Sequence, residues 1–458
     1  MSHHEPTDRR GSTGGREPPG RRQYAPVSPP VALTIAGSDS GGGAGIQADL
    51  KTMEAHGAFG TSVVTATTAQ NTVGVHDVHV LPIDHIAAQY DAVIDDFAPA
   101  AVKTGMLATA DVIETVVDCL AAFEGSVVVD PVMVAATGDR LLSEAAETAY
   151  DALIERATLL TPNVDEAEIL TGSTVDSPEA AAAAGETLVE QGADAALVKG
   201  GHIAGDRVVD TLVVADGDKI QTERFSHPRV DTEATHGSGC TLSSAIAARL
   251  AAGESLHDAV AAGVAFMERA VRYGIDVGNG PGSVHHLVGL RERAERVDAG
   301  AAADQFANRL AVGEFDAIAP VDGFACIAAT PYSESAAELV GSGRTSADTA
   351  DTVDVGGDST LADGLLALRE HDPTLRVAVR CRLDNAVDDA IGSLAWPKPV
   401  LLAAGEETGQ SPADTRNNGV PFLARSEPEG QSVSVVLAAP DVDTAIERLA
   451  SLSVVVSS

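Results

Sequence analysis

Short apolar runs alternate with stretches of helical spacing through the first 200 residues, and nothing else in the chain narrows the fold so far. The runs 31–36, 62–67, 101–104, 127–130, 159–161 and 195–198 predict strands. Between them, residues 46–56, 84–95, 111–123 and 143–156 repeat their apolar positions every three to four residues and predict helices. Strands that alternate with amphipathic helices pair in parallel and are covered on both faces, so the expected class is α/β with a parallel sheet. Ligands of such sheets collect outside the carboxyl ends of the strands. Those ends carry Asp39, Gln70, Gly105-Met106, Asp130, Asn163-Val164-Asp165-Glu166 and Lys199-Gly200-Gly201-His202. A cap or a turn would account for any one of them; their recurrence at every strand end marks a candidate site.

Thr235-His236-Gly237-Ser238-Gly239-Cys240 runs directly into a helical stretch. Its glycines let successive N–H groups turn toward one point, and the helix start adds positive potential there, which makes an anion pocket. Cys240 at that helix mouth is expected to favour its thiolate and to take a proton from an incoming hydroxyl. The chemistry that suits this arrangement is phosphoryl transfer to an alcohol. The competing reading is a glycine-rich helix start with an inert cysteine. Asp130 and Glu166 are hard-oxygen candidates for Mg²⁺, and Lys199 is a candidate for reaching ATP phosphates, against the alternatives of turn residues and a surface lysine. The first glycine turn, 37–45, is followed by a strand that ends in Thr68-Ala69-Gln70-Asn71, without the acidic residue a dinucleotide site needs. NAD is thereby excluded.

Composition bounds the rest. With 458 residues, two domains are expected. The chain carries 67 acidic against 30 basic residues, a net charge of -37, and its only lysines are Lys51, Lys103, Lys199, Lys219 and Lys398. Such a surface repels nucleic acid and is best screened in a salt-rich cytoplasm. No run of about 18 apolar residues is free of charge, so no membrane span is expected. Cys119, Cys240, Cys326 and Cys381 have no paired spacing, which argues against a zinc site or a disulfide framework and for a reducing interior. Residues 1–29, rich in Gly, Pro and Arg, are expected to be a disordered tail.

Six motifs then converge on one family. They are residues 36–52 (AGSDSGGGAGIQADLKT), 65–72 (TATTAQNT), 103–107 (KTGML), 161–163 (TPN), 198–202 (VKGGH) and 235–243 (THGSGCTLS). In order and spacing they resemble the hydroxymethylpyrimidine/phosphomethylpyrimidine kinases of thiamine biosynthesis, over 30–290. The resemblance implies a ribokinase-like fold, ATP and Mg²⁺, and phosphorylation of 4-amino-5-hydroxymethyl-2-methylpyrimidine and then of its monophosphate. It implies a transfer site at Gly237, Ser238, Gly239 and Cys240. Substrate contacts fall on Gln70, Gly37, Thr68, Met106 and Asp49, ATP contacts on Lys199, Asn163 and Thr235, and metal contacts on Asp130 and Glu166. A carboxamide matches an aminopyrimidine edge, and a thioether suits a ring face. A pyridoxal or pyridoxine kinase remains the alternative. Kinases of this fold often pair, so a homodimer is expected.

Residues 291–303 are expected to join this unit to a second, smaller α/β unit over 304–458. Helices are expected at 302–310, 361–370 and 441–452, with strands around 317 and at 375–380, 400–403 and 432–438. Position and pattern resemble the thiamine-phosphate synthase domain fused behind this kinase in many archaea. The anchors are 355–363 (VGGDSTLAD), Asp372-Pro373 and Gly419-Val420-Pro421. Where that family's glycine turn has Arg and His, this chain has Ser359 and Thr360, which removes a charge-assisted clamp for pyrophosphate. The favoured expectation is a degenerate domain that binds a thiamine intermediate or thiamine phosphate and regulates or stabilises the kinase. The alternative is a working synthase, acting on thiazole phosphate, that uses Arg344, Arg380 or Arg382.

Overall fold

The computed structural model describes residues 27–133, 149–217, 219–321, 323–341, 359–396, 400–402, 422–426 and 434–458. The expected tail thus lies outside the described residues up to position 26, as does the 143–148 part of the expected fourth helix. Nine strands form the first sheet: β1 (Val31–Ser38), β2 (Phe59–Gln70), β3 (Val75–Val80), β4 (Ala101–Thr104), β5 (Ser126–Val129), β6 (Leu159–Leu160), β7 (Ala195–Val198), β8 (Arg207–Asp216) and β9 (Lys219–Pro228). Their order is β3-β2-β1-β4-β5-β6-β7-β8-β9. The six from β2 to β7 are parallel, as expected. Antiparallel strands that the sequence did not suggest flank them, β3 on one edge and the β8–β9 hairpin on the other. For β3 and β9 the reason is exposure: both are largely exposed, so neither displays the continuous apolar run that buried parallel strands require, whereas β8 is buried at its centre.

One face of this sheet packs Leu33, Ile35 and Val63 against helices Ile83–Phe97 and Ala110–Leu120. The other carries helices Gly45–Ala55, Ser238–Ala251 and Leu256–Arg272, with Met53, Ala248, Ile246 and Val264 in its cores. Under that layer lies a fully buried ion pair. Lys103 Nζ, at the end of β4, is 2.9 Å from each oxygen of Asp49. The same carboxylate accepts Thr34 Oγ1 at 2.6 Å and Ser244 Oγ at 2.7 Å. Asp49 was expected at the substrate; instead it has no exposed surface, and its acceptors are occupied by β1, β4 and the helix Ser238–Ala251 that contains Cys240. Its place is structural.

The second sheet, in order β11-β10-β12-β15-β14-β13, comprises β10 (Cys326–Ala328), β11 (Val340–Gly341), β12 (Val377–Arg382), β13 (Val400–Leu402), β14 (Phe422–Ser426) and β15 (Ser434–Ala439). Only β13–β14 is a parallel pair among its five. The strand expected around 317 is a turn, closed by Ile318 N–H on the Phe315 carbonyl at 3.0 Å. Phe315 and Ile318 are buried there, so their apolar character serves a turn tucked under the sheet. The glycine turn at 355–358, Arg344 and Gly419-Val420-Pro421 lie outside the described residues.

The join expected at 291–303 lies within one continuous helix, Val288–Val312. Val288 is rooted in the first core, and Ala299, Ala303, Phe306 and Leu310 in the second. At 1.5 Å per residue this rod is about 37 Å long.

Truncating one partner of a buried ion pair leaves the other charged and unpaired. Asp49→Ala is therefore expected to lower unfolding stability by about 3–5 kcal/mol, and Asp49→Leu combined with Lys103→Met by much less. Urea unfolding of the three proteins measures both.

Candidate active site

Asp39, buried where β1 ends, organises the first glycine turn. Its carboxylate accepts N–H from Gly41 at 2.7 Å, Gly43 at 3.0 Å and Ala44 at 2.8 Å, and His236 Nε2 lies 3.1 Å away. Burial pushes its pKa up, but the hydrogen bonds from His236 and the amides outweigh that, and the carboxyl sits below its ordinary value. His236 thus ties the turn at 37–45 to the turn at 235–240.

Between the two turns only backbone fits. Gly237 has φ 81°, and a Cβ on it would stand 1.8 Å from the Gly43 carbonyl oxygen. A Cβ on Gly43 would meet the His236 ring at 2.5 Å. The helix Ser238–Ala251 starts at this contact, and no side chain caps it, so first-turn N–H groups of a kind that bind anions remain there. Ser238 itself spends its N–H on the Thr235 carbonyl at 3.1 Å, and Thr235 is exposed.

Beside this helix start stand the charged groups from β5, β6 and β7. Lys199 Nζ is 3.2 Å from Asp130 Oδ1 and 3.9 Å from Glu166 Oε2. A Cβ on Gly239 would lie 3.2 Å from Lys199 Nζ and 3.4 Å from Asp130 Oδ2, so the glycine permits the approach. Burial and the neighbouring Asp130 push Glu166 up to about 7, against the pull of Lys199. Burial works against the Lys199 charge, but the two carboxylates prevail and hold its pKa above normal. Asn163 was expected on ATP. Its amide oxygen instead accepts the Glu166 N–H at 2.9 Å while Glu166 accepts the Asn163 N–H at 2.8 Å, a capping box that aims Glu166 at Lys199. Among the described residues no three His, Cys, Asp or Glu side chains gather as a metal group. Two carboxylates are still enough for an ion that completes its shell with phosphate and water.

The expectation for Cys240 is corrected. Its thiol is pushed up to about 11, first by burial and then by Asp49 and Asp130, with Lys103 and the Gly45 N–H only partly compensating. Helix-start potential does not overcome desolvation here, and the thiol is protonated at neutral pH.

On the opposite side of the 37–45 turn are the residues expected at the acceptor. A Cβ on Gly37 would stand 2.4 Å from Met106 Cε, and one on Gly45 would stand 2.5 Å from the Gly37 oxygen. Thr68 Oγ1 donates its one proton to the Ser38 carbonyl at 2.9 Å, and the Gln70 amide lies 3.2 Å from the same hydroxyl oxygen, which orients it. Gln70, Thr68, Gly37 and Met106 therefore share one edge of the turn that Cys240 meets through Gly45. The sequence assigns no role to Lys103, His236 or the Ser283–His286 segment. Lys103 and His236 lay within quoted motifs, and a lysine closing an apolar strand in a lysine-poor chain was the available signal.

A thiol with a pKa near 11 is about one ten-thousandth thiolate at pH 7. Alkylation of Cys240 by iodoacetamide, followed by peptide mass spectrometry, is expected to quicken about tenfold per pH unit from 7 to 10. A plateau below pH 8 would contradict the assignment.

The sequence pattern of the phosphomethylpyrimidine kinase family matches residues 39–285. The chain is 49% identical over 268 residues to the hydroxymethylpyrimidine/phosphomethylpyrimidine kinase of Streptomyces coelicolor, covering 58% of this chain and 98% of that one. It is 43% identical over 274 residues to the thiamine biosynthesis bifunctional protein ThiED of Geobacter sulfurreducens, covering 59% of this chain and 55% of that one. Among solved structures, the ADP complex of Bacillus subtilis pyridoxal kinase matches with a TM-score of 0.53 at 33% identity, covering 58% of this chain and 99% of that one. With its ribokinase-like sheet, its glycine turns and this match through residue 285, the chain belongs to the phosphomethylpyrimidine kinase family and is a phosphotransferase of thiamine biosynthesis.

Proposed function

We propose that the chain transfers the terminal phosphoryl group of ATP to the hydroxymethyl group of 4-amino-5-hydroxymethyl-2-methylpyrimidine, and then phosphorylates the monophosphate to the pyrophosphate. The observation that carries this reading is the Gly43–Gly237 backbone contact, which sets an uncapped helix start beside Lys199 and Asp130. The amides of Gly239 and Cys240 and the Lys199 ammonium meet the charge spread over the moving phosphoryl group. The alcohol oxygen forms the new P–O bond as the bond to ADP breaks, and as that bond matures the hydroxyl proton passes to an oxygen of the transferred phosphoryl group and from there to solvent. A loose transition state asks little of a base, so a neutral Cys240 thiol is compatible with turnover. Gln70 offers its amide to the aminopyrimidine edge, Thr68 fixes that amide, and Met106 and Gly37 line the ring face. Asp130 and Glu166 would hold Mg²⁺, which supplies neutralising charge at the phosphates.

For 304–458 the reading is a degenerate thiamine-phosphate synthase-like domain that binds a thiamine intermediate or thiamine phosphate. Of the cations a working synthase would draw on, Arg382 is paired with Asp384 at 3.2 Å, which favours binding over synthesis. The acidic surface fits a salt-rich cytoplasm and the kinase unit a homodimer; no described helix is long and apolar enough to cross a membrane.

In high salt, the full chain is expected to release ADP with the hydroxymethylpyrimidine and with its monophosphate, and to form no thiamine phosphate from pyrimidine pyrophosphate and thiazole phosphate. Turnover of pyridoxal alone would replace this reading with the pyridoxal kinase one. Gly237→Ala, which drives a methyl into the Gly43 carbonyl, is expected to lower kcat by roughly a hundredfold or more. Because a protonated Cys240 serves as no base, Cys240→Ala should leave kcat within a few-fold of wild type, whereas Gln70→Ala should raise KM for the pyrimidine about tenfold with kcat little changed. Steady-state kinetics separate these outcomes.

A further inference from the structure

Residues 330–338 of the second unit cross onto the kinase half. Tyr332 meets Tyr273 edge to face, with ring centroids 5.0 Å apart, and its carbonyl accepts the Tyr273 hydroxyl at 3.1 Å. Glu334 shares that hydroxyl and pairs with Arg272. Glu338 lies 3.4 Å from Arg269. The Tyr332 hydroxyl is 3.4 Å from His285 Nε2. Because His285 Nδ1 accepts the Leu287 N–H at 3.2 Å, the ring proton belongs on Nε2 and points at the Tyr332 oxygen. On its own side the segment is held by Arg369 of helix Ser359–His371, which donates to the carbonyls of Pro331 at 3.2 Å and Ser333 at 3.4 Å.

His285 leads straight to the glycine turns. The Val284 N–H donates to the His236 carbonyl at 3.2 Å. A Cβ on Gly43 would stand 3.2 Å from Ser283 Oγ. His286 is buried beside the Gly43 backbone. The stretch from 274 to 287 is a loop with isolated bridges only, and a loop of this kind is as rigid as what ties it down.

We infer that Tyr332 and Glu334, which lie beyond the kinase unit, are positioning residues for phosphoryl transfer: they clamp Tyr273 and His285, and through them hold the Ser283–His286 segment that backs the Gly43–Gly237 contact. The inference rests on that contact being the transfer site. Phosphoryl transfer gains its rate from placement, and displacements of about 1 Å at such a cradle cost far more in turnover than in binding. A second unit anchored through Arg369 can thereby set the kinase rate without touching either substrate.

The test uses the full chain with ATP and hydroxymethylpyrimidine. Tyr332→Phe keeps the ring and its packing and removes only the hydroxyl; Glu334→Gln keeps the shape and removes the charge. Together they are expected to lower kcat about fivefold, with KM for the pyrimidine within about twofold and an unchanged unfolding temperature. In a His285→Gln background, Tyr332→Phe should add little, since both act through one contact. Wild-type kcat in the double variant, or a loss matched by a fall in folded protein, would overturn the inference. The Gly237→Ala protein separates the two claims. If it is inactive while the Tyr332 and Glu334 variants turn over normally, only the clamp fails; if it turns over normally, the transfer-site reading fails and the clamp with it.

Discussion

Asp39 collects three main-chain N–H groups from one glycine turn and the imidazole of His236 from another, 197 positions along the chain. The rest of the site depends on this arrangement. A single buried carboxylate with its acceptors filled is stable where an empty one would be costly. Once it is filled, Gly43 and Gly237 are drawn so close that neither tolerates a side chain. The uncapped helix start is then placed by backbone rather than by flexible side chains, which gives the placement its stiffness.

Two further buried charge groups sit beneath it, and they have different characters. Lys103 and Asp49 are sealed from solvent, and burial, which works against the Lys103 charge, is overcome by Asp49 so that its pKa is raised. Lys199, Asp130 and Glu166 are looser: one cation faces two carboxylates, and Glu166 is left near neutrality in its titration. A surplus of carboxylate around one lysine suits a site that awaits additional positive charge. The closed pair is sealed, whereas the open trio is where we propose that a ligand binds.

The second unit is joined through a helix rooted in both cores and through a polar and aromatic seam at Tyr273, Arg272 and Arg269. Salt-linked seams of this sort weaken as ionic strength rises. The edge-to-face packing of Tyr273 on Tyr332 and the shared helix are less exposed to screening, so the junction does not rest on charge alone.

The parallel strands, their helices and the motifs at the strand ends were legible in the chain, because buried strands show as apolar runs and phosphate-binding turns require glycine in fixed spacing. Exposed β3 and β9 left no such trace, and the turn at Phe315–Ile318 imitated a strand. Asp49 and Asn163 carried the residue types of ligand contacts, yet their partners, Lys103 and the Glu166 amide, are known only once the chain is folded. Cys240 shows the same division most sharply: its place at a helix start could be read from the sequence, while its protonation depends on desolvation and on Asp49 and Asp130. Sequence by itself determined the fold class and the family, since periodicity and glycine spacing are local. Tertiary structure alone decided which charges are sealed, which remain open and which distant segments brace the site, because burial and electrostatics depend on neighbours far apart in the chain.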